Sequence, residues 1–150
     1  MTSTDVRSAV AVLRAFLIED FSSYQRLLAE LDADQRRAFS VALTAAFTGA
    51  ATRRFGEQPP AADVIEFVAQ ARARYPRTSE AVPAEDAETV IRAALGEDDL
   101  IGRLDGRASG AAQTAMLFAL TRDDSGDAVE ALLATAAAQA EDYLQRRANR

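Results

Sequence analysis

The chain contains no cysteine, no histidine, no tryptophan and no lysine, so all 17 of its basic residues are arginine. Each absence removes a class of chemistry. Without histidine there is no imidazole to shuttle protons near neutral pH and no imidazole metal ligand. Without cysteine there is no thiolate nucleophile, no disulfide and no zinc site built on sulfur. Without lysine there is no Schiff-base chemistry and no phosphate-gripping P-loop amine, and arginine stays protonated in its place. Carboxylates, hydroxyls and fixed cations remain.

Long hydrophobic runs are also missing. No stretch reaches 18 consecutive apolar residues, so no membrane-spanning helix is expected. The N-terminal residues Met1 to Arg7 lead straight into an amphipathic pattern with no signal-peptide cleavage site. With the lack of cysteine, this points to the cytoplasm. The net charge of −6 repels phosphate at long range, which argues against nucleic acid as a partner.

What is present is alanine. It supplies 34 of the 150 residues, against 36 for valine, isoleucine, leucine, methionine and phenylalanine combined. Alanine is the strongest helix former, and a core rich in it lets helices approach closely. One domain spanning 1–150 is expected, all-α, a bundle of six or seven helices; a chain this long buries roughly two-thirds of its unfolded surface.

Periodicity and breakers place the helices. Val6, Val10, Leu13, Phe16 and Leu17 share one stripe, and Asp20 breaks the chain before Tyr24, Leu27, Leu28 and Leu31. A helix from near Asp34 to Phe55 points Phe39, Leu43, Phe47 and Ala50 inward and ends at Gly56, a left-handed cap. The next, from about Ala62 to Tyr75, carries Val64, Ile65, Val68 and Ala71 inward and stops at Pro76. Residues 76–82 read as a loop, and Pro83 opens a helix with Val90, Ile91, Ala94 and Leu95 inside, closed by Gly96. From Asp105 onward the run Ala111 to Leu120 is apolar nearly all round, which predicts the most buried helix. The last, Asp127 to about Arg147, buries Val129, Leu132, Leu133, Ala136, Ala140, Tyr143 and Leu144.

The segments Ala46-Phe47 through Arg53-Arg54-Phe55-Gly56, Asp63-Val64-Ile65-Glu66-Phe67-Val68 and Val90 to Gly96 resemble a family of small all-helical proteins from high-GC bacteria. The likeness is best over residues 39–97. It implies a fold and no assigned activity.

Motif chemistry is sparse. Glu85 with Glu88 and Asp127 with Glu130 are carboxylate pairs three residues apart, each on one helix face. The arrangement is similar to the all-helical nucleotide pyrophosphohydrolases, which implies Mg²⁺ held by Glu85, Glu88, Asp127 and Glu130. The chain departs from that pattern: the pairs lie nearly 40 residues apart, no lysine is present, and both pairs sit where acids complement a helix dipole. In Asp123 to Asp127, a calcium-loop reading puts Leu132 where a bidentate glutamate is required, which rejects it. There is no Gly-x-Ser-x-Gly and no Walker sequence; Gly102, Gly106 and Gly110, four apart, suit tight helix contact or a loosened helix entry.

The arginines divide by context. Asp32 with Arg36, Glu88 with Arg92, Asp99 with Arg103 and Asp142 with Arg146 are helix-surface pairs. Arg72, Arg74 and Arg77, around Tyr75, have no acid four residues before them. Arg and Tyr are enriched at binding hot spots, so this helix end is the candidate partner-binding surface. The sequence therefore predicts a non-enzymatic protein–protein interaction module, a small adaptor or regulatory subunit and possible homo-oligomer, with no cofactor. The alternative is a Mg²⁺-dependent nucleotide phosphohydrolase working through the two carboxylate pairs.

Overall fold

The computed structural model describes residues 3–100 and 102–150; Met1, Thr2 and Ile101 lie outside the described residues. The protein is all-α, 82% helical and without strands among the described residues. Seven helices of ten or more residues form the body: α1 (Ser3–Leu17), α2 (Phe21–Glu30), α3 (Ala33–Phe55), α4 (Ala61–Arg74), α6 (Ala84–Ala94), α7 (Gly106–Thr121) and α8 (Gly126–Ala148). Between α4 and α6 lies a six-residue helix, α5 (Pro76–Ala81), and a single 3-10 turn spans Asp98–Leu100. Helix α5 corrects the loop expected over 76–82. Proline's fixed φ suits the first helical position, so Pro76 ends one helix and opens the next.

Packing divides the chain into two compact units, Met1–Ala46 with Arg122–Arg150 and Phe47–Thr121. In the first unit α1 packs against both α2 and α8. Helix α1 buries Val6, Ala9, Val10, Val12, Leu13 and Ala15, and α8 buries Val129, Leu133, Ala136, Ala140 and Leu144, a spacing that keeps one face inward. Leu132 is only half-buried and Tyr143 is exposed, so the inward stripe of α8 is narrower than the sequence suggested. The break at Asp20 has a definite geometry. Glu19 takes φ 63°, the left-handed region, while its N–H donates to the Phe16 carbonyl and the Asp20 N–H donates to the Ala15 carbonyl. Asp20 then accepts from the Ser23 N–H at 3.3 Å and caps α2. A glutamate where glycine is usual carries a steric cost of about 1–2 kcal/mol. Its carboxylate lies 3.1 Å from the Arg122 guanidinium.

Helix α3 begins with a reciprocal capping box. The Asp32 carboxylate accepts from the Gln35 N–H at 2.8 Å, and the Gln35 side-chain carbonyl accepts from the Asp32 N–H at 2.9 Å. It ends as expected at Gly56, with φ 69°.

In the second unit α6 packs against α4, α7 and the 3-10 turn, burying Ala87, Val90 and Ile91. Helices α4, α6 and α7 pack on one another, and α5 packs on α4. Helix α7 buries Ala112, Met116, Leu117 and Thr121, while Phe118, Ala119 and Leu120 are half-buried. Its apolar circumference is largely alanine and threonine, which tolerate partial exposure, so an all-round apolar pattern overstated its burial. The Thr121 hydroxyl donates back to the Leu117 carbonyl at 2.8 Å, which satisfies the one buried polar side chain there. A Cβ built on Gly106 or Gly110 meets no neighbouring atom, so these glycines do not mediate a close helix contact. Helix α4 is tied to the end of α3 by Phe55 and Phe67, whose rings meet edge to face at 5.4 Å under the Arg54 guanidinium.

Phe47 is 1% exposed and Phe118 is half-buried in the same unit. Phe47→Ala is expected to cost about 3–5 kcal/mol in urea unfolding, and Phe118→Ala markedly less. Equal losses would place α7 where the sequence alone had put it.

Candidate functional site

The basic end of α4 is built by Pro76. The residue before a proline is driven out of the helical region, and Tyr75 sits at φ −126°, ψ 80°. Its N–H still donates to the Ala71 carbonyl at 3.0 Å, so the chain turns without losing the last helical bond. That turn carries the Tyr75 ring inward against Phe118, edge to face at 5.4 Å. The Tyr75 hydroxyl is buried with no hydrogen-bond partner among the described residues. Tyr75, which the sequence offers with the arginines as a partner-binding residue, is half-buried and packs the helix end.

The arginines divide likewise. Arg72 is half-buried, whereas Arg74 and Arg77 are exposed. The Arg74 guanidinium lies 5.7 Å from the centre of the Tyr75 ring, which holds it at the anchored end. Arg74 lies in the last turn of α4, where the C-terminal dipole favours positive charge, and Arg77 lies in the first turn of α5.

The four carboxylates of the magnesium reading occupy two helices. Glu85 is exposed and Glu88 half-buried on α6; Asp127 and Glu130 are exposed on α8. Among the described residues no group of three or more acidic side chains is placed to hold a metal ion. Glu130 is committed elsewhere: its two oxygens accept from Arg14 Nε at 2.8 Å and Nη2 at 3.1 Å. These partners lie 116 residues apart, and no local spacing signals their meeting. Arg92 likewise takes Glu97 in a two-bond pair at 2.7 Å, not the Glu88 four residues before it. Asp142 with Arg146 does form, at 3.1 Å. The Asp32 carboxylate serves as a helix cap.

A cleft of about 460 Å³ in the second unit is lined by Gln58, Pro59, Val64, Arg92, Leu95 and Glu97 among others. The Arg92 and Glu97 charges that reach it neutralise one another, so it offers no obvious hold for a charged ligand.

The hydrogen bonds from Arg14 hold the Glu130 carboxyl below the usual glutamate range, and those from Arg92 do the same for Glu97. Hydrogen bonds from Ser23 lower Asp20. None of these three is suited to donating a proton near neutral pH. Compared with known proteins, the chain matches no family, no curated protein and no solved structure.

A carboxylate lowered in the folded state stabilises above its unfolded pKa, and that stability is lost as pH falls through the folded value. The melting temperature is therefore expected to be flat between pH 6 and 8, where no side chain of this chain ordinarily titrates, and to fall below the ordinary carboxylate range of about 4. In Glu130→Gln the acid limb should be shallower. A steep slope between pH 6 and 8 would reveal a strongly raised carboxyl group and redirect attention to catalysis.

Proposed function

We propose that this chain is a non-enzymatic protein–protein interaction module, a small adaptor or regulatory subunit, that docks an acidic protein surface at the α4–α5 junction. The observation that carries the reading is the exposure of Arg74 and Arg77 on an end anchored by Tyr75 and Phe118, in a chain of net charge −6. Charge of the minority sign, held on a fixed scaffold, steers encounter with an acidic partner and sets its register. The neighbouring half-buried Arg72 adds to that potential. A lack of imidazole, thiol and amine nucleophiles supports a binding role over a catalytic one. The same composition, with arginine in place of every lysine, supports a cytoplasmic protein of a high-GC bacterium. The magnesium reading through Glu85, Glu88, Asp127 and Glu130 gains no support from the placement of those side chains.

Arg74→Glu combined with Arg77→Glu is expected to abolish partner recovery in a pull-down. Both sites are exposed, so the melting temperature should stay within a degree or two. Undiminished recovery by the folded double variant would reduce the arginines to complements of a helix end.

A further inference from the structure

We propose that the cleft of about 460 Å³ formed by the α3–α4 connector, the start of α4 and the end of α6 is a site for an uncharged small molecule with an amide edge, a carbonyl beside an N–H, on an apolar body. The docking surface proposed above lies at the other end of α4, so neither reading depends on the other. The volume is within the range of small-molecule pockets, about 300–1,000 Å³. Pro59, Val64 and Leu95 give the cleft apolar lining, and Gln58, Arg92 and Glu97 give it polar groups.

The end of α6 builds the polar groups. Gly96 takes φ 109°, its N–H donates to the Ala93 carbonyl and the Glu97 N–H donates to the Arg92 carbonyl, which returns Glu97 to Arg92. Arg92 Nε and Nη2 then donate to the two Glu97 oxygens, each at 2.7 Å. The Nη1 hydrogens and the second Nη2 hydrogen have no acceptor among the described residues, and each Glu97 oxygen keeps a lone pair. The pair thus sets free donors beside free acceptors with no net charge. An amide edge matches both, since its carbonyl accepts from Arg92 while its N–H donates to Glu97. A carboxylate would meet the Glu97 charge and an ammonium the Arg92 charge, and each would leave water for a site with no net charge to compensate it. The Gln58 side chain, which makes no hydrogen bond among the described residues, offers a further donor and acceptor. Gln58 is held at the cleft with φ 50°, a left-handed conformation that is costly for residues other than glycine.

Proton–nitrogen correlation spectra of the full chain, titrated at pH 6 with three related probes, provide the test. N-acetyl-leucinamide is neutral, N-acetyl-leucine is an anion and leucinamide is a cation. The neutral probe is expected to shift the Gln58, Val64 and Leu95 resonances saturably, with the millimolar affinity of a fragment, and at least about tenfold more tightly than either charged probe. Glu97→Gln leaves the guanidinium unneutralised, so the preference should pass to N-acetyl-leucine; Arg92→Gln should pass it to leucinamide. Tightest binding of a charged probe by the wild-type chain, or no saturable shift at the cleft with any probe, overturns the proposal. An unchanged preference in either variant, with the spectrum still that of the folded chain, overturns it too.

Discussion

The methyl group of alanine sets the tolerances of this fold. Along α3, Ala38, Ala42, Ala46 and Ala50 recur every four residues, and each is 1% exposed or less. A stripe of that spacing is a smooth ridge of small side chains along α3. The large side chains buried most deeply, among them Leu13, Phe47, Ile91, Met116, Leu117 and Leu133, are spread over α1, α3, α6, α7 and α8. Interiors pack at the density of organic crystals, so a fully buried alanine leaves no room beside it for a larger side chain.

Alanine is also why part of the structure was illegible. Helix boundaries could be read because Asp20, Gly56, Pro76, Pro83 and Gly96 each act through local backbone geometry. Which face of a helix turns inward was harder to read. On α4 the neighbours of Ile65 one turn away are Val68, buried, and Ala61, Ala62 and Ala69, exposed, so periodicity places Ile65 inside, whereas it lies outside. Tyr143 on α8 sits beside the buried Ala140 and Leu144, but Gln139, Arg146 and Arg147 share its own face, and it is exposed. The reciprocal cap of Asp32 and Gln35 is legible from its spacing and is a local signal absent from the sequence reading. The Arg14–Glu130 and Arg122–Glu19 pairs depend on the tertiary fold and could not have been found locally.

Arginine as the only cation links the fold to the proposed role. Arg14, Arg92 and Arg122 bind carboxylates of their own unit and fasten α1, the end of α6 and the left-handed turn at Glu19. Such exposed pairs add modestly to stability but hold geometry through paired hydrogen bonds. At the end of α4 the Arg74 guanidinium also lies 5.7 Å from the ring centre of the anchored Tyr75 and is exposed. The sequence offers Tyr75 as a contact residue together with Arg72, Arg74 and Arg77; its ring is half-buried against Phe118.

The dependence of the fold on alanine size is tested most directly by Ala42→Leu, with Ala131→Leu on the exposed side of α8 as the control. Ala42 is fully buried, so three added carbons have nowhere to go without parting the backbones, and the loss in urea unfolding free energy is expected to be at least about 1–3 kcal/mol. Ala131 is exposed and leucine is nearly as good a helix former, so the control should remain within about 0.5 kcal/mol of the parent. An Ala42→Leu protein as stable as the parent would mean that the space beside α3 is loose, and would contradict the close-packed account.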